Sequence, residues 1–146
     1  HMAIDKSSAN LYVINELNST ATVYNILSDT VTAKQTVSAL PEEFTEKSYC
    51  ADIHLSRNGK KIYGSNRGHN SIVTFRVGVD GKLSEPSHRD CGGNWPRNFA
   101  VSPSGKFFLV ANQRSDEISV VREGAHSDEA VSSLTLNAPS CVRFLK

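Results

Sequence analysis

The sequence predicts an all-β fold of radially stacked, four-stranded sheets, on the strength of two repeating patterns. In the first, one hairpin is written three times. Leu11-Tyr12-Val13-Ile14, Lys61-Ile62-Tyr63-Gly64 and Phe107-Phe108-Leu109-Val110 each lead into a polar turn, and Thr22-Val23-Tyr24, Ser71-Ile72-Val73 and Ile118-Ser119-Val120 lead out. Asn15, Asn66 and Asn112 occupy the same place in each copy, about fifty residues apart, which is the period of a propeller blade. In the second pattern, Ala51-Asp52-Ile53-His54-Leu55-Ser56 and Asn98-Phe99-Ala100-Val101-Ser102 alternate apolar with polar or small residues. Each is followed by a Gly-bearing turn, at Asn58-Gly59 or Ser104-Gly105, that enters the repeated hairpin. A two-sheet sandwich is the alternative, and the blade-length repeat disfavours it.

Each period thus supplies four short antiparallel strands. The domain is expected to run over 3–146, with blades at 9–48, 49–94 and 95–138, a closing strand at 139–145, and His1-Met2 as a cloning remnant. Residues 3–10 are polar, so the first blade is expected to lack its innermost strand. Residues 32–37 alternate as a further strand, and 40–47 form a polar connection. Val79-Asp80-Gly81-Lys82 turns the chain toward a short outer strand, and Gly92-Gly93-Asn94-Trp95-Pro96 carries it back inward. A polar loop then leads to an outer strand at 131–136, and Pro139-Ser140-Cys141-Val142-Arg143-Phe144 repeats the pattern of residues 96–101. Three blades span too small an arc to close a ring. The chain is therefore expected to self-associate, or to complete a larger ring with a missing N-terminal half.

Charge is nearly balanced, at +1 over 146 residues with 38% hydrophobic content, so no basic field recommends nucleic acid. No apolar run is long enough for a membrane helix. Cys50, Cys91 and Cys141 are widely spaced and odd in number. That argues against a complete disulfide framework and against a metal site, and favours the cytoplasm.

The motifs Ala51-Asp52-Ile53-His54-Leu55-Ser56, Tyr63-Gly64-Ser65-Asn66-Arg67-Gly68-His69, Pro96-Arg97-Asn98-Phe99 and Ala111-Asn112-Gln113 together resemble the seven-bladed propeller lactonases, a family of 6-phosphogluconolactonase and carboxy-muconate cyclase type. The resemblance covers this whole chain and corresponds to the last three blades of a member. It implies hydrolysis or closure of a sugar-acid or organic-acid lactone, with no cofactor, and it maps an acidic residue and an arginine of the family's site onto Glu16 and Arg67. A histidine and a second arginine from earlier blades have no counterpart here. Asp52 stands where many members carry Glu, and Arg57-Asn58-Gly59 replaces a Ser-Pro-Asp-Gly turn.

Blade topology places Glu16, Arg67, His69, Gln113 and Arg114 on turns, and Arg97 at the end of a connection, all toward one mouth of the central channel. Lactone opening needs a water made nucleophilic and a stabilised oxyanion. Glu16 is the candidate base, Arg67 the electrostatic clamp and His69 a reserve base. Arg97, Gln113 and Arg114 are candidates for binding the substrate. Arg67 has a second reading, as a pair for a neighbouring blade. Trp95 either lines the mouth or caps the blade packing, and His54 with Asp52 reads as a structural pair.

Overall fold

The computed structural model describes residues 1–7, 9–84, 86–124 and 130–145. Its regular elements are twelve strands: β1 (Met2–Ile4), β2 (Asn10–Asn15), β3 (Thr20–Ile26), β4 (Val31–Ser38), β5 (Tyr49–Leu55), β6 (Lys61–Arg67), β7 (Ser71–Arg76), β8 (Ser87–Asp90), β9 (Pro96–Val101), β10 (Phe107–Asn112), β11 (Glu117–Arg122) and β12 (Ser132–Thr135). They form three antiparallel sheets in sequence order, β1 to β4, β5 to β8 and β9 to β12. The fold is all-β and made of blades, as the repeats predict. Part of the polar loop before β12 falls at 125–129, outside the described residues.

One expectation is corrected. The innermost strand of the first blade is present, because Met2, Ala3 and Ile4 pair with Val13, Tyr12 and Leu11. At the other end, 139–145 has no strand partner among the described residues, although Val142 N–H donates to Asn98 Oδ1 at 2.8 Å.

The turns explain the repeat. Gly59 and Gly105 both sit at φ 73°, where a side chain is disfavoured, and they close the hairpins entering β6 and β10. Ser19, Asn70 and Asp116 take left-handed angles just before β3, β7 and β11, so the repeated hairpin turns the same way each time.

Apolar side chains are buried between blades. Tyr12, Ile14, Ala21 and Val23 of the first blade meet Ile53, Ile62, Val73 and Phe75 of the second. The opposite face of the second blade sends Tyr63 and Ile72 against Phe99, Phe108, Val110 and Val121 of the third. β6 is therefore buried almost throughout. Gly64 permits the first of these contacts, since a Cβ there would lie 2.5 Å from Ile14 Cδ1. Each fully buried large side chain contributes about 1.5–3 kcal/mol.

Polar side chains clamp the stack. Asn66, fully buried, donates to the Ala39 carbonyl of the connection leaving blade one, at 2.7 Å, and accepts from Cys50 Sγ. Asn112 repeats this one blade later, donating to Cys91 O and Ser119 Oγ. Asn15 has no preceding blade in this chain and donates to the hydroxyls of Thr20 and Thr22. The recurrent asparagine is thus a blade-to-blade clamp.

Asp52 joins the second and third blades and also meets His1, just ahead of β1. A register shift in β5 between Cys50 and Ile53 turns its carboxylate inward, with a side chain only 6% exposed. It accepts from His1 Nδ1 at 2.8 Å, His54 Nε2 at 2.9 Å, Phe99 N–H at 3.3 Å and Asn98 Nδ2. His54 also packs edge-on against Phe99, so the His54–Asp52 pair belongs to the architecture. Burial pushes the Asp52 carboxyl up, but the hydrogen bond and charge of His54 and the Phe99 and Ile53 amides outweigh it, leaving the group below its usual value.

Two stability outcomes are expected. Asn66→Ala should cost about 1–3 kcal/mol in urea unfolding, whereas Asn15→Ala, at a position that is itself only half-buried, should cost less. Equal losses would remove the clamp. Because Asp52 titrates lower folded than unfolded, its contribution is present above the unfolded value and fades as pH falls through the folded one. Asp52→Asn should cost about 1.5–3 kcal/mol at neutral pH and flatten the acid limb of a thermal-melt pH series. An unchanged limb would assign that acid sensitivity elsewhere.

Candidate functional site

Glu16 stands in the β2–β3 turn and Arg67 ends β6, which brings residues from two blades to one rim. The Arg67 side chain, 7% exposed, lies along the inter-blade seam. Its Nε donates to Tyr49 O and its Nη2 to Cys50 O at 3.0 Å and to Glu16 Oε1 at 2.6 Å. Glu16 is 56% exposed, and its other oxygen has no partner among the described residues. The hydrogen bond and charge of Arg67, with a smaller effect from Arg97, hold its carboxyl below the usual glutamate range. Arg67 therefore does pair with a neighbouring blade, and the pair faces solvent through Glu16.

Arg97 reaches this rim through a β-bulge. β9 pairs Asn98 with Ala111 and Pro96 with Asn112, leaving Arg97 as the extra residue with its side chain exposed. Gln113 and Arg114 follow β10 in the next turn. Gln113 N–H donates to Trp95 O and Arg114 N–H to Asn94 O, each at 3.1 Å, so the turn is stitched to the incoming connection. Trp95 sits among the charged groups, with Arg114 Cζ 3.3 Å and Arg67 Cζ 5.5 Å from its ring centroid and the Tyr49 ring 6.1 Å away.

Five of the six sequence candidates, Glu16, Arg67, Arg97, Gln113 and Arg114, are thus linked through the Glu16–Arg67 pair and Trp95. His69 is placed differently. Its Nδ1 lies 2.7 Å from Ser71 Oγ, and its ring meets Phe44 at 4.6 Å and His88 at 5.4 Å, beneath the 40–47 connection. Burial, then the charge of His88, lowers its pKa. It has no contact with Glu16 or Arg67 among the described residues. Tyr49 is the participant that sequence reading missed. The available signal was spacing: Tyr49 and Trp95 lie 46 residues apart, as do Asn66 and Asn112.

The arrangement offers a half-exposed carboxylate able to take a proton from water and a fixed guanidinium able to hold a negative oxygen, with further arginines alongside. Among the described residues no group of three or more His, Cys, Asp or Glu is placed to hold a metal ion. No described helix is long and apolar enough to cross a membrane.

Known proteins share this frame. The family described as "Lactonase, 7-bladed beta-propeller" matches residues 1–144. The 6-phosphogluconolactonase of Bacillus subtilis is 30% identical over 151 residues, 99% of this chain and 43% of its own length. That of Yersinia enterocolitica is 35% identical over 84% of this chain and 37% of its own length. Among solved structures, the periplasmic gluconolactonase PpgL of Pseudomonas aeruginosa superposes over the whole chain and 42% of its own, with a TM-score of 0.92 and 31% identity. A protein from Lactobacillus plantarum gives a TM-score of 0.91 at 27% identity. The chain spans about two-fifths of the length of these relatives. With three matching blades and a family match over 144 of its 146 residues, the chain belongs to the seven-bladed β-propeller lactonase family.

Proposed function

We propose that the Glu16–Arg67 pair opens the lactone of a sugar acid. The observation that carries the reading is the 2.6 Å contact joining an exposed carboxylate to an arginine fixed in the seam. The names of the relatives, 6-phosphogluconolactonase and gluconolactonase, supply the substrate class. Glu16 Oε2 takes a proton from the attacking water, whose oxygen bonds to the lactone carbonyl carbon. Arg67 steadies the carbonyl oxygen as it becomes negative. The ring C–O bond then breaks, and the released alkoxide recovers a proton to give the open hydroxy acid. Arg97, Gln113 and Arg114 orient the polar substrate. His69, whose pKa burial lowers, is a reserve base only if the substrate reaches the Phe44 side of the rim.

A cytoplasmic setting is supported by Cys50 and Cys91. Both are buried free thiols, each pushed up to about 12 by burial. Association is supported by the open flank of the third blade, where Leu134 and Leu136 are exposed. We propose that this flank meets either the remaining blades of a ring or a second copy of the chain.

In a lactone-hydrolysis assay, Glu16→Gln and Arg67→Ala should each lower the rate about 10²–10³-fold. Because Arg67 lowers the Glu16 pKa, Arg67→Ala should also move the acid limb of any residual rate to higher pH. A rate untouched by either change would end the assignment. Mass measurement in dilute solution should show an associated species, and a stable monomer would rule out self-association.

A further inference from the structure

The left-handed backbone at Trp95, φ 65°, raises the question of what the indole is for. The turn itself does not require it. Ala138, which precedes Pro139 as Trp95 precedes Pro96, adopts φ 41° with only a methyl group. At position 95 the same kind of backbone is tied to both flanking turns: Trp95 N–H donates to Asn70 Oδ1 at 3.0 Å, and its carbonyl accepts from Gln113 N–H at 3.1 Å. The backbone that carries the indole is therefore held between blades two and three, and the ring lies against Tyr49, Arg67 and Arg114.

Two guanidinium groups meet that plane, and they differ in one respect. Arg67 is neutralised by Glu16, whereas Arg114, exposed and lying 3.3 Å over the ring centroid, enters no ion pair among the described residues. Stacking leaves the edge N–H groups of a guanidinium free to donate in the plane, in the paired geometry that carboxylates and phosphates accept. An arginine on a mobile turn would lose side-chain entropy on gripping an anion, and one already flattened on an indole loses less.

We propose that Trp95 is a positioning residue. Its indole holds Arg114 as a preformed seat for an anionic group of the ligand, carboxylate or phosphate, distinct from the Glu16–Arg67 pair. The proposal rests on the lactonase reading for the identity of the ligand, but not for the existence of the seat.

The test exploits Trp95 being the only tryptophan in the chain. Intrinsic fluorescence is followed while the intact chain is titrated separately with inorganic phosphate and with gluconate, and affinities are checked by calorimetry. A saturable fluorescence change is expected with at least one probe. Saturation by phosphate alone identifies a phosphate seat, and by gluconate alone a carboxylate seat. Arg114→Gln should weaken that binding at least tenfold. Trp95→Leu, read by calorimetry, should weaken it about as much, and Trp95→Tyr, which keeps an aromatic face, should restore most of it. Arg76→Gln, which removes an equal charge from an exposed strand end, should leave it within about twofold. No saturable change with either probe overturns the seat. So does an equal loss in Arg76→Gln, which would mean a response to net charge, or Trp95→Leu binding as well as the parent. Hydrolysis that depends on Glu16 without any anion binding sinks the seat and spares the reaction, whereas Arg114-dependent binding without hydrolysis does the reverse.

Discussion

A single blade is four strands wide and one chain thick, so its apolar side chains can leave water only against another blade. That constraint is met twice here, once on each face of β6 and β7. Phe75 and Ile62 look one way, Tyr63 and Ile72 the other. The polar contacts follow from this stacking. Asn66 and Asn112 reach the connection leaving the preceding blade, and Asp52 gathers donors from the second and third sheets and from His1. The seam that buries the core is also the seam along which Arg67 lies. The candidate rim is thus a product of blade packing and could not be assembled by one blade alone.

The architecture was legible because the same physics is spelled three times: alternation of period two, a Gly or left-handed residue at each turn, and an asparagine at one fixed place. β1 was illegible. Three residues offer too little alternation to read, and what makes Met2-Ala3-Ile4 a strand is the waiting edge of β2. The bulges were equally hidden, since an extra residue is defined by its partner strand. Without pairing in hand, nothing distinguishes Arg97 as the residue left over between Pro96 and Asn98.

The candidate site could be read from the sequence only to the level of a shared rim. Topology placed Glu16, Arg67, His69, Arg97, Gln113 and Arg114 toward one mouth. It could not say which way each side chain leaves its turn. Gly68, at φ 103°, reverses the backbone between Arg67 and His69, so neighbours in sequence diverge: one enters the seam and the other goes under Phe44. Trp95 could be read either as lining or as capping. The structure joins the two, because the Trp95 backbone is tied to both flanking turns while the indole lies against two guanidinium groups.

The two-sided burial of the middle sheet also ranks the parts of the molecule by cohesion. Sheets at the ends of a stack have one neighbour, and the one between them has two, so opening free energy rises toward the centre as in a short linear array. Within these three sheets, amide hydrogens of the almost wholly buried β6 are expected to exchange later than those of β12, which is exposed along its length. Arg67 is rooted in the most cohesive strand, whereas Glu16 and Arg114 stand on turns of the outer sheets.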